Sequence, residues 1–373
     1  MRRIIKNIYL FLRRTVLVCL PGRKRVTAID PDKVDTVLLI RLDRIGDLVS
    51  SIPAIQAIKK IFPRSRITLL LSRPVSDLAK LIPEIDETIV YRGFFPALSR
   101  LRDKNFFLVV DFLMDYTLKT AMLGYLIGGK VVCGFDIESR GRLFNAGLPV
   151  PGGNKPMSGY LLDLVKLLAE LSGKDKKLAV DVPPVLTLTR EAELSAAEFL
   201  KENGFSPDQK VFGIAPGAKF PSQCWDEQRF AALGDRITGK YGARVVLIGS
   251  RDEGEKLQRV ASLMRNKPAV AAGMPLDELA GIISCCQALV CNNSGPLHLA
   301  AALHIPTVST MGPTVPGLWM PQGDNHVVIR KDLACSPCNK AFCRSHECMD
   351  LISVDEMAGA VDMVMERAGK IQR

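Results

Sequence analysis

Short apolar runs alternate with longer segments of helical apolar spacing along most of the chain. The first run, at residues 36–41, is followed by a polar turn and then by residues 48–62, whose apolar positions repeat at helical spacing. Apolar runs of this length are typical of buried strands. The pattern therefore predicts a unit of strand, turn and helix.

This unit recurs in both halves of the chain. Further strands are predicted at residues 67–71, 87–91, 107–110, 130–133, 210–215, 244–248, 288–291 and 307–310, with helical stretches between most of them. Strands that alternate with helices indicate parallel sheets covered on both faces. The predicted fold class is α/β, with two Rossmann-like, doubly wound halves.

The alternation breaks near residues 178–189, where Pro183 and Pro184 suit neither a regular helix nor a central strand. A length of 373 residues agrees with two domains. We place an N-terminal domain at 31–185, a C-terminal domain at 186–350 and a final helix at 351–373. Residues 1–30 form a separate segment.

That N-terminal segment is basic and amphipathic. Residues 1–25 contain eight arginines and lysines and no acidic residue, and Arg13-Arg14 interrupts the apolar runs. The runs are too short to span a bilayer, and no secretory cleavage site follows them. We interpret the segment as lying on an anionic membrane surface. The alternative is a helix packed on the protein with its charges in water.

Composition narrows the choice of partner. The net charge of +11 indicates an anionic ligand or surface, and 47% hydrophobic with 24% charged residues is typical of a folded protein. Aromatic residues make up 6% and do not interleave with the basic runs, which argues against a nucleic-acid partner. No Gly-x-Gly-x-x-Gly or Walker pattern is present, which disfavours a dehydrogenase or a P-loop enzyme.

Polar turns follow the predicted strands and supply the candidate site residues. In the second half these are Pro216, Gly217, Ala218, Lys219, Glu253, Asn293, Ser294, Gly295 and His298. Such turns offer free N–H donors, and a helix that begins at Gly295 would receive a phosphate at its N-terminus. The alternative is an ordinary capped helix in which a neighbour satisfies His298. In the first half, Arg41, Asp43, Arg44 and Asp47 lie at a strand end.

Ten cysteines fall into two sets. Six are scattered, mostly in apolar context, where a free cysteine behaves as a small core residue. Without a secretory signal, we expect a reduced cytoplasm. Cys335, Cys338, Cys343 and Cys348 form C-x2-C-x4-C-x4-C, with His346 inside. This ligand density suits a structural zinc ion or an iron–sulfur cluster, and the alternative is a reduced or locally disulfide-linked loop.

Four motifs together resemble glycosyltransferase family 9, the ADP-heptose:lipopolysaccharide heptosyltransferase family. They are Ile40-Arg-Leu-Asp-Arg-Ile-Gly-Asp-Leu48, Pro216-Gly-Ala218 with Trp225, Gly249-Ser-Arg-Asp-Glu253, and Asn293-Ser-Gly-Pro-Leu-His298 with Gly312-Pro-Thr314. The resemblance implies a GT-B fold with two Rossmann-like domains facing a cleft. It also implies a nucleotide-sugar donor in the C-terminal domain, a lipid-linked acceptor in the N-terminal domain, and a last helix that packs back toward the latter.

The resemblance also implies roles for individual residues. Asp47 matches the general base, and its alternative role is an N-cap for a helix starting at Leu48. Asp43 is a rival base, while Arg41 and Arg44 would position the acceptor or hold the carboxylates. Glu253 matches a ribose contact, and its alternative is a first-turn glutamate favoured by the helix dipole. Two donor-site positions differ from the family, with Gln223 where a lysine is usual and Asn293 where an acidic residue is common.

We therefore expect an inverting, metal-independent glycosyltransferase that needs no cofactor for catalysis. It would move a heptose from ADP-heptose to a lipid-linked lipopolysaccharide core or related glycan, at the cytoplasmic face of a bacterial inner membrane. The alternatives are a non-catalytic GT-B module that binds anionic glycan, and a nucleotide-sugar epimerase.

Overall fold

A computed structural model of the chain describes residues 9–371 apart from 12, 16, 18, 151 and 181. The chain divides into two compact units, of which the first ends at Val182 and the second begins at Pro183; residues 80–82 belong to the second. The division lies inside residues 178–189, where the alternation of strands and helices breaks in the sequence.

The first unit is built on a six-stranded parallel sheet. Its strands are β1 (Thr36–Arg41), β2 (Arg66–Leu71), β3 (Glu87–Val90), β4 (Leu108–Asp111), β5 (Val131–Asp136) and β6 (Ala146–Pro149), in the order β3-β2-β1-β4-β5-β6. Its helices are α1 (Ile45–Ile61), α2 (Phe94–Arg102), α3 (Lys119–Ile127) and α4 (Met157–Leu171). Helix α1 packs against α4, and α2 packs against α3. Connections between parallel strands are right-handed, and after β3 the chain continues on the other side of β1, from β4 to β6. The two helix pairs therefore cover opposite faces of the sheet.

The second unit repeats this plan. Its strands are β7 (Val211–Ala215), β8 (Arg244–Gly249), β9 (Ala269–Ala272), β10 (Ala288–Asn292), β11 (Thr307–Thr310) and β12 (His326–Ile329), in the order β12-β11-β10-β7-β8-β9. Its helices are α5 (Arg190–Glu202), α6 (Glu227–Tyr241), α7 (Gly254–Leu263), α8 (Leu276–Ser284), α9 (Gly295–Ala302), α10 (Pro316–Trp319), α11 (Glu347–Asp350) and α12 (Val354–Ile371). If β7 is counted as strand one of this sheet, its strand order is the same as that of the first sheet. The two doubly wound parallel sheets confirm the predicted fold class.

Three strands that the sequence pattern missed, β6, β9 and β12, are all edge strands. Every residue of β12 is only half-buried, whereas every residue of the central strands β7 and β10 is buried. An edge strand has one neighbour and partial solvent contact, so its sequence lacks the continuous apolar run that marks a central strand.

The N-terminal segment packs against the first unit. Its described residues between 9 and 19 are helical, and Leu17 is only 1% exposed in the core beneath α2 and α3. The buried Arg13 guanidinium donates to three backbone carbonyls in the loops after β4 and β5, while Arg14 pairs with Glu138 at 3.2 Å. These contacts match the packing on the protein that the alternative expects, although the Arg13 charge is buried and not in water. Residues 1–8 lie outside the described residues, and contact with a membrane surface stays a prediction. In the part of the chain that the structure describes, no helix is long and apolar enough to cross a membrane.

The final helix, α12, packs on the sheet of its own unit. Met357, Ala360, Val361 and Val364 repeat at helical spacing and are buried in the second core. The helix contacts α6, β11 and β12. This apolar stripe is buried within the second unit, and packing of the helix toward the N-terminal domain stays a prediction.

Candidate functional site

The candidate site residues lie at equivalent places in the two sheets. In the first sheet the strand order reverses between β1 and β4, which end at Arg41 and Asp111. In the second it reverses between β7, which Pro216 follows, and β10, which ends at Asn292. Such reversals open a crevice at the carboxyl ends of the strands, where ligands bind in doubly wound sheets. Each unit thus has a candidate site of its own.

Arg41 organises the site in the first unit. Its side chain is almost fully buried, and its Nη1 donates to the Phe112 carbonyl at 2.7 Å, which ties the end of β1 to the end of β4. The same guanidinium lies 3.3 Å from the Asp43 carboxylate and 3.4 Å from that of Asp47. An arginine guanidinium keeps its positive charge, so it holds both carboxylates in place by charge attraction.

Asp47 lies in the first turn of α1, which begins at Ile45, one turn earlier than the sequence pattern predicts. It is therefore not the N-cap residue. One carboxylate oxygen nevertheless accepts a hydrogen bond from the Arg44 backbone N–H at 3.2 Å, and the other faces Arg41. The side chain keeps 19% of its surface exposed. This geometry accommodates both a role at the helix start and contact with an acceptor, and the role as general base stays a prediction.

Asp43 is the carboxylate with raised proton affinity. Burial raises its pKa, nearby Arg41 opposes this, and the negative charges of Asp47, Asp115 and Asp111 raise the pKa further. About a third of its side chain remains exposed, 35%. A raised pKa in a partly open carboxylate is the property that a general base needs, so the structure strengthens Asp43 as the rival of Asp47.

A buried ion pair beneath this cluster was not foreseen from the sequence. Asp111 and Arg140 are both fully buried and pair directly, and Arg140 also donates to the carbonyls of Leu113 at 3.2 Å and Asp115 at 2.6 Å. Arg140 therefore fixes the loop after β4, whose Asp115 lies near enough to Asp43 to raise its pKa. The pair acts as a support for the cluster.

Asn292 organises the site in the second unit. Its side chain is fully buried and uses both ends of the amide. The carbonyl oxygen accepts from the Trp225 backbone N–H at 2.9 Å and from the Thr310 hydroxyl at 2.8 Å. The amide nitrogen donates to the carbonyls of Pro216 at 2.9 Å and Gly217 at 3.3 Å. One side chain thus joins the turn after β7, the segment before α6 and the end of β11.

The turn after β7 also meets the turn after β8. A Cβ atom placed on Gly217 would lie 1.8 Å from a carboxylate oxygen of Glu253, so only glycine allows this approach. The other Glu253 oxygen accepts from the backbone N–H of Ser250 at 2.8 Å, which matches the alternative of a first-turn glutamate. Ala218 is half-buried and Lys219 is exposed, with its ammonium 5.1 Å from the Phe220 ring centre.

Helix α9 begins at Gly295, as the sequence pattern predicts. The Ser294 hydroxyl donates to the Asn292 carbonyl at 3.3 Å and makes no capping bond to the helix. Asn293 donates its backbone N–H to Thr310 at 3.1 Å, and the His298 ring meets the Trp319 ring edge-on at 5.9 Å between centres. The helix start thus retains a serine that does not cap it, which is compatible with binding an anion there.

Gln223 links the segment before α6 to the turn after β11. Its amide nitrogen donates to the Thr314 hydroxyl at 3.1 Å. The adjacent Ser222 backbone N–H donates to the Ala341 carbonyl at 3.3 Å, and the Cys338 backbone N–H donates to the Pro313 carbonyl at 3.0 Å. The cysteine-rich segment therefore packs against two turns of the candidate donor site.

Comparison with known proteins identifies the family. The family model described as glycosyltransferase family 9 (heptosyltransferase) matches residues 97–349, well over half of the chain. The chain belongs to glycosyltransferase family 9. Lipooligosaccharide heptosyltransferase 2 of Haemophilus influenzae is 28% identical over 79% of this chain and 88% of its own.

Two solved structures share the fold of this family 9 glycosyltransferase. A family 9 glycosyl transferase of Veillonella parvula superposes with a TM-score of 0.76 at 20% identity, covering 92% of this chain and 100% of its own. The ADP-heptose lps heptosyltransferase II of E. coli superposes with a TM-score of 0.75 at 21% identity, covering 90% and 99%. At these identities the structures establish the GT-B architecture and leave the substrate open.

The cysteine-rich segment of the family 9 enzyme does not form a positioned metal site. All ten cysteines are free thiols, and no group of three or more His, Cys, Asp or Glu side chains among the described residues is arranged to hold a metal ion. Cys335, Cys338 and Cys343 lie near enough to Cys348 to raise the pKa of its thiol, after the larger effect of burial. The segment brings the four thiols into one region, and a bound zinc ion stays a prediction.

Proposed function

We propose that this family 9 enzyme transfers a heptose from ADP-heptose to a lipid-linked lipopolysaccharide core or a related surface glycan. In this proposal the transfer inverts the anomeric carbon, requires no metal ion and takes place at the cytoplasmic face of the inner membrane. The observation that carries it is the set of turns held by Asn292 at the reversal point of the second sheet, matched by the carboxylates around Arg41 at the same point of the first.

The second unit supplies the groups that a nucleotide diphosphate needs. The turns after β7, β8, β10 and β11 lie at the carboxyl-terminal edge of one parallel sheet, and the start of α9 adds the positive end of a helix dipole there. Lys219 adds an exposed cation beside them. The E. coli relative is named as an ADP-heptose enzyme, which supports adenosine diphosphate as the nucleotide.

The first unit supplies the groups for the transfer step. Asp47 takes the proton from the acceptor hydroxyl as that oxygen bonds to the anomeric carbon, and the bond from this carbon to the diphosphate breaks. The electron pair leaves with the diphosphate, whose charge the donors of the second unit stabilise. Arg41 keeps the Asp47 carboxylate oriented throughout, because it contacts that side chain from a fixed, buried position.

A binding screen and a transfer assay test this proposal. Calorimetry of the purified chain with ADP, UDP, GDP and CMP should show binding of ADP, and mass spectrometry should show heptose added to a lipid-linked core acceptor in the presence of EDTA. Asp47→Asn should lower the transfer rate by about 10²- to 10⁴-fold, the usual contribution of a general base. Its affinity for ADP should be unchanged.

The control variant is Asp332→Asn, at a fully exposed carboxylate of the second unit. It should retain both activities. Failure of every nucleotide to bind would contradict the donor assignment, and normal transfer by Asp47→Asn would exclude Asp47 as the base. Loss of transfer in EDTA that returns with a divalent cation would contradict metal independence.

A further inference from the structure

One helical layer of the first unit carries no acidic side chain. Helix α2 reads Phe-Phe-Pro-Ala-Leu-Ser-Arg-Leu-Arg, helix α3 reads Lys-Thr-Ala-Met-Leu-Gly-Tyr-Leu-Ile, and residues 9–25 contain no Asp or Glu. The helices on the opposite face differ, because α1 contains Asp47 and α4 contains Asp163 and Glu170. We call α2, α3 and residues 9–25 the acid-free face.

These three elements form one continuous surface. Helix α2 packs directly on α3. The Tyr125 hydroxyl of α3 donates to the Pro21 carbonyl at 3.0 Å, and the rings of Tyr9 and Tyr116 meet edge-on at 6.2 Å just before α3. Leu17 enters the same core that α2 and α3 cover. The basic N-terminal segment therefore extends a surface that the two helices begin.

The acid-free face exposes large apolar side chains to solvent. Phe95 at the start of α2 is 78% exposed, Phe11 is 71% exposed and Leu126 of α3 is 41% exposed. Burying a phenylalanine side chain is worth about 1.5–3 kcal/mol, so such rings favour any apolar medium that the surface meets. Three large exposed apolar side chains on adjoining elements indicate a surface that meets an apolar partner.

The charges on the same face select the partner. Arg100 and Arg102 of α2 and Lys119 of α3 are exposed in the same elements, while the exposed Arg14 pairs with Glu138 from outside them. Exposed rings and exposed cations on the same elements, none of which contains an acidic residue, match the boundary of an anionic bilayer, where rings enter the acyl region and cations meet phosphate. We infer that the acid-free face docks the enzyme on an anionic lipid bilayer. This builds on the proposed lipid-linked acceptor, but docking itself needs neither donor nor acceptor.

Vesicle flotation of the full chain tests the inference without a sugar substrate. Vesicles of phosphatidylethanolamine and phosphatidylglycerol should carry the protein at low salt, and vesicles of phosphatidylcholine should carry little. The double variant Arg100→Glu with Arg102→Glu should bind the anionic vesicles at least about 30-fold more weakly, since each basic residue contributes about fivefold at such a surface. Phe95→Ser should bind about tenfold more weakly.

Matched control variants lie on the second unit. Arg265→Glu with Lys267→Glu reverses two exposed charges at the same spacing, and Phe342→Ser removes a ring that is 75% exposed. Both should bind vesicles like the unchanged chain. Equal losses in test and control variants would overturn the inference, as would absence of binding by the unchanged chain.

The face could instead join two copies of the chain, and light scattering distinguishes this outcome. A dimer that Phe95→Ser converts to a monomer, with vesicle binding unchanged, would overturn the bilayer assignment. The proposed function is tested separately, because a chain that floats with vesicles but transfers no sugar would refute the enzyme proposal alone.

Discussion

Replacement of Asn292 by alanine should weaken the contacts between the turns of the proposed donor site in the second unit. The Asn292 side chain makes four hydrogen bonds that join three separate segments of the chain, and it is fully buried. Alanine would leave one N–H, one hydroxyl and two carbonyls without this partner in a place that water reaches poorly. The effect should therefore appear in stability and in nucleotide binding together.

The expected loss of stability follows from the number of hydrogen bonds removed. A buried hydrogen bond contributes about 1 kcal/mol net, so loss of four costs roughly 4 kcal/mol of unfolding free energy. For a unit of this size, 1 kcal/mol corresponds to about 2–4 °C in melting temperature, which gives a fall of about 10 °C. Because the turns that Asn292 joins carry the proposed phosphate donors, ADP affinity should fall at least about tenfold, equivalent to 1.4 kcal/mol.

Calorimetric melting and ADP titration measure the two effects. Asn293→Ala is the matched control for stability, since its side chain takes no part in these four bonds. It should melt within about 2 °C of the unchanged chain. If Asn292→Ala melted equally close to the unchanged chain and bound ADP normally, the assignment of Asn292 as the organiser of this edge would be refuted.

Three further predictions concern single groups. Arg140→Met should cost the first unit about 3–5 kcal/mol in urea unfolding, because Asp111 would lose its buried partner; an unchanged midpoint would contradict this. Burial lowers the pKa of His326 to about 4, so the unfolded chain binds this proton from pH 6.5 downward while the folded chain does not. Stability of the second unit should be complete above pH 6.5 and fall by about 3 kcal/mol toward pH 4, a loss that His326→Asn should remove in acid unfolding. The spacing of the four cysteines predicts about one zinc ion in mass-spectrometric metal analysis of the reduced chain, lost in Cys338→Ser with Cys343→Ser; a zinc-free chain would reject this ligand-spacing argument and agree with the thiol arrangement.

The sequence predicts the central strands of both sheets more reliably than the edge strands. Residues 36–41 form a strand whose bounds agree with the apolar run, because β1 is covered on both faces and its apolar run is nearly unbroken. The edge strand at residues 326–329 is half-buried throughout, so its pattern resembles that of a loop. Edge position is a property of the assembled sheet and leaves only a weak trace in local sequence.

The sequence predicts which turns form the candidate site, but not which side chains contact one another there. Polar turns at strand ends indicate the donor edge, and Asp43 and Asp47 follow the first strand closely enough to be recognised. Which of the adjacent Asn292 and Asn293 enters the core depends on where β10 ends, since successive residues of a strand point to opposite faces. The sequence pattern selected Asn293, and the structure adds Asn292. The Asp111–Arg140 pair spans 29 residues and has no local signal at all.

The two carboxylates near Arg41 cannot be assigned independent roles. Position in the family motif favours Asp47 as the base, and proton affinity favours Asp43, whose pKa burial raises. Both lie within 3.4 Å of the same guanidinium, and the negative charge of Asp47 itself contributes to the raised pKa of Asp43. Neutralising Asp43 also leaves the Arg41 charge facing Asp47 alone, which strengthens the hold of the guanidinium on the carboxylate proposed as the base. Asp43→Asn should therefore slow transfer even if Asp43 never takes the proton, and only the double variant can separate the two contributions.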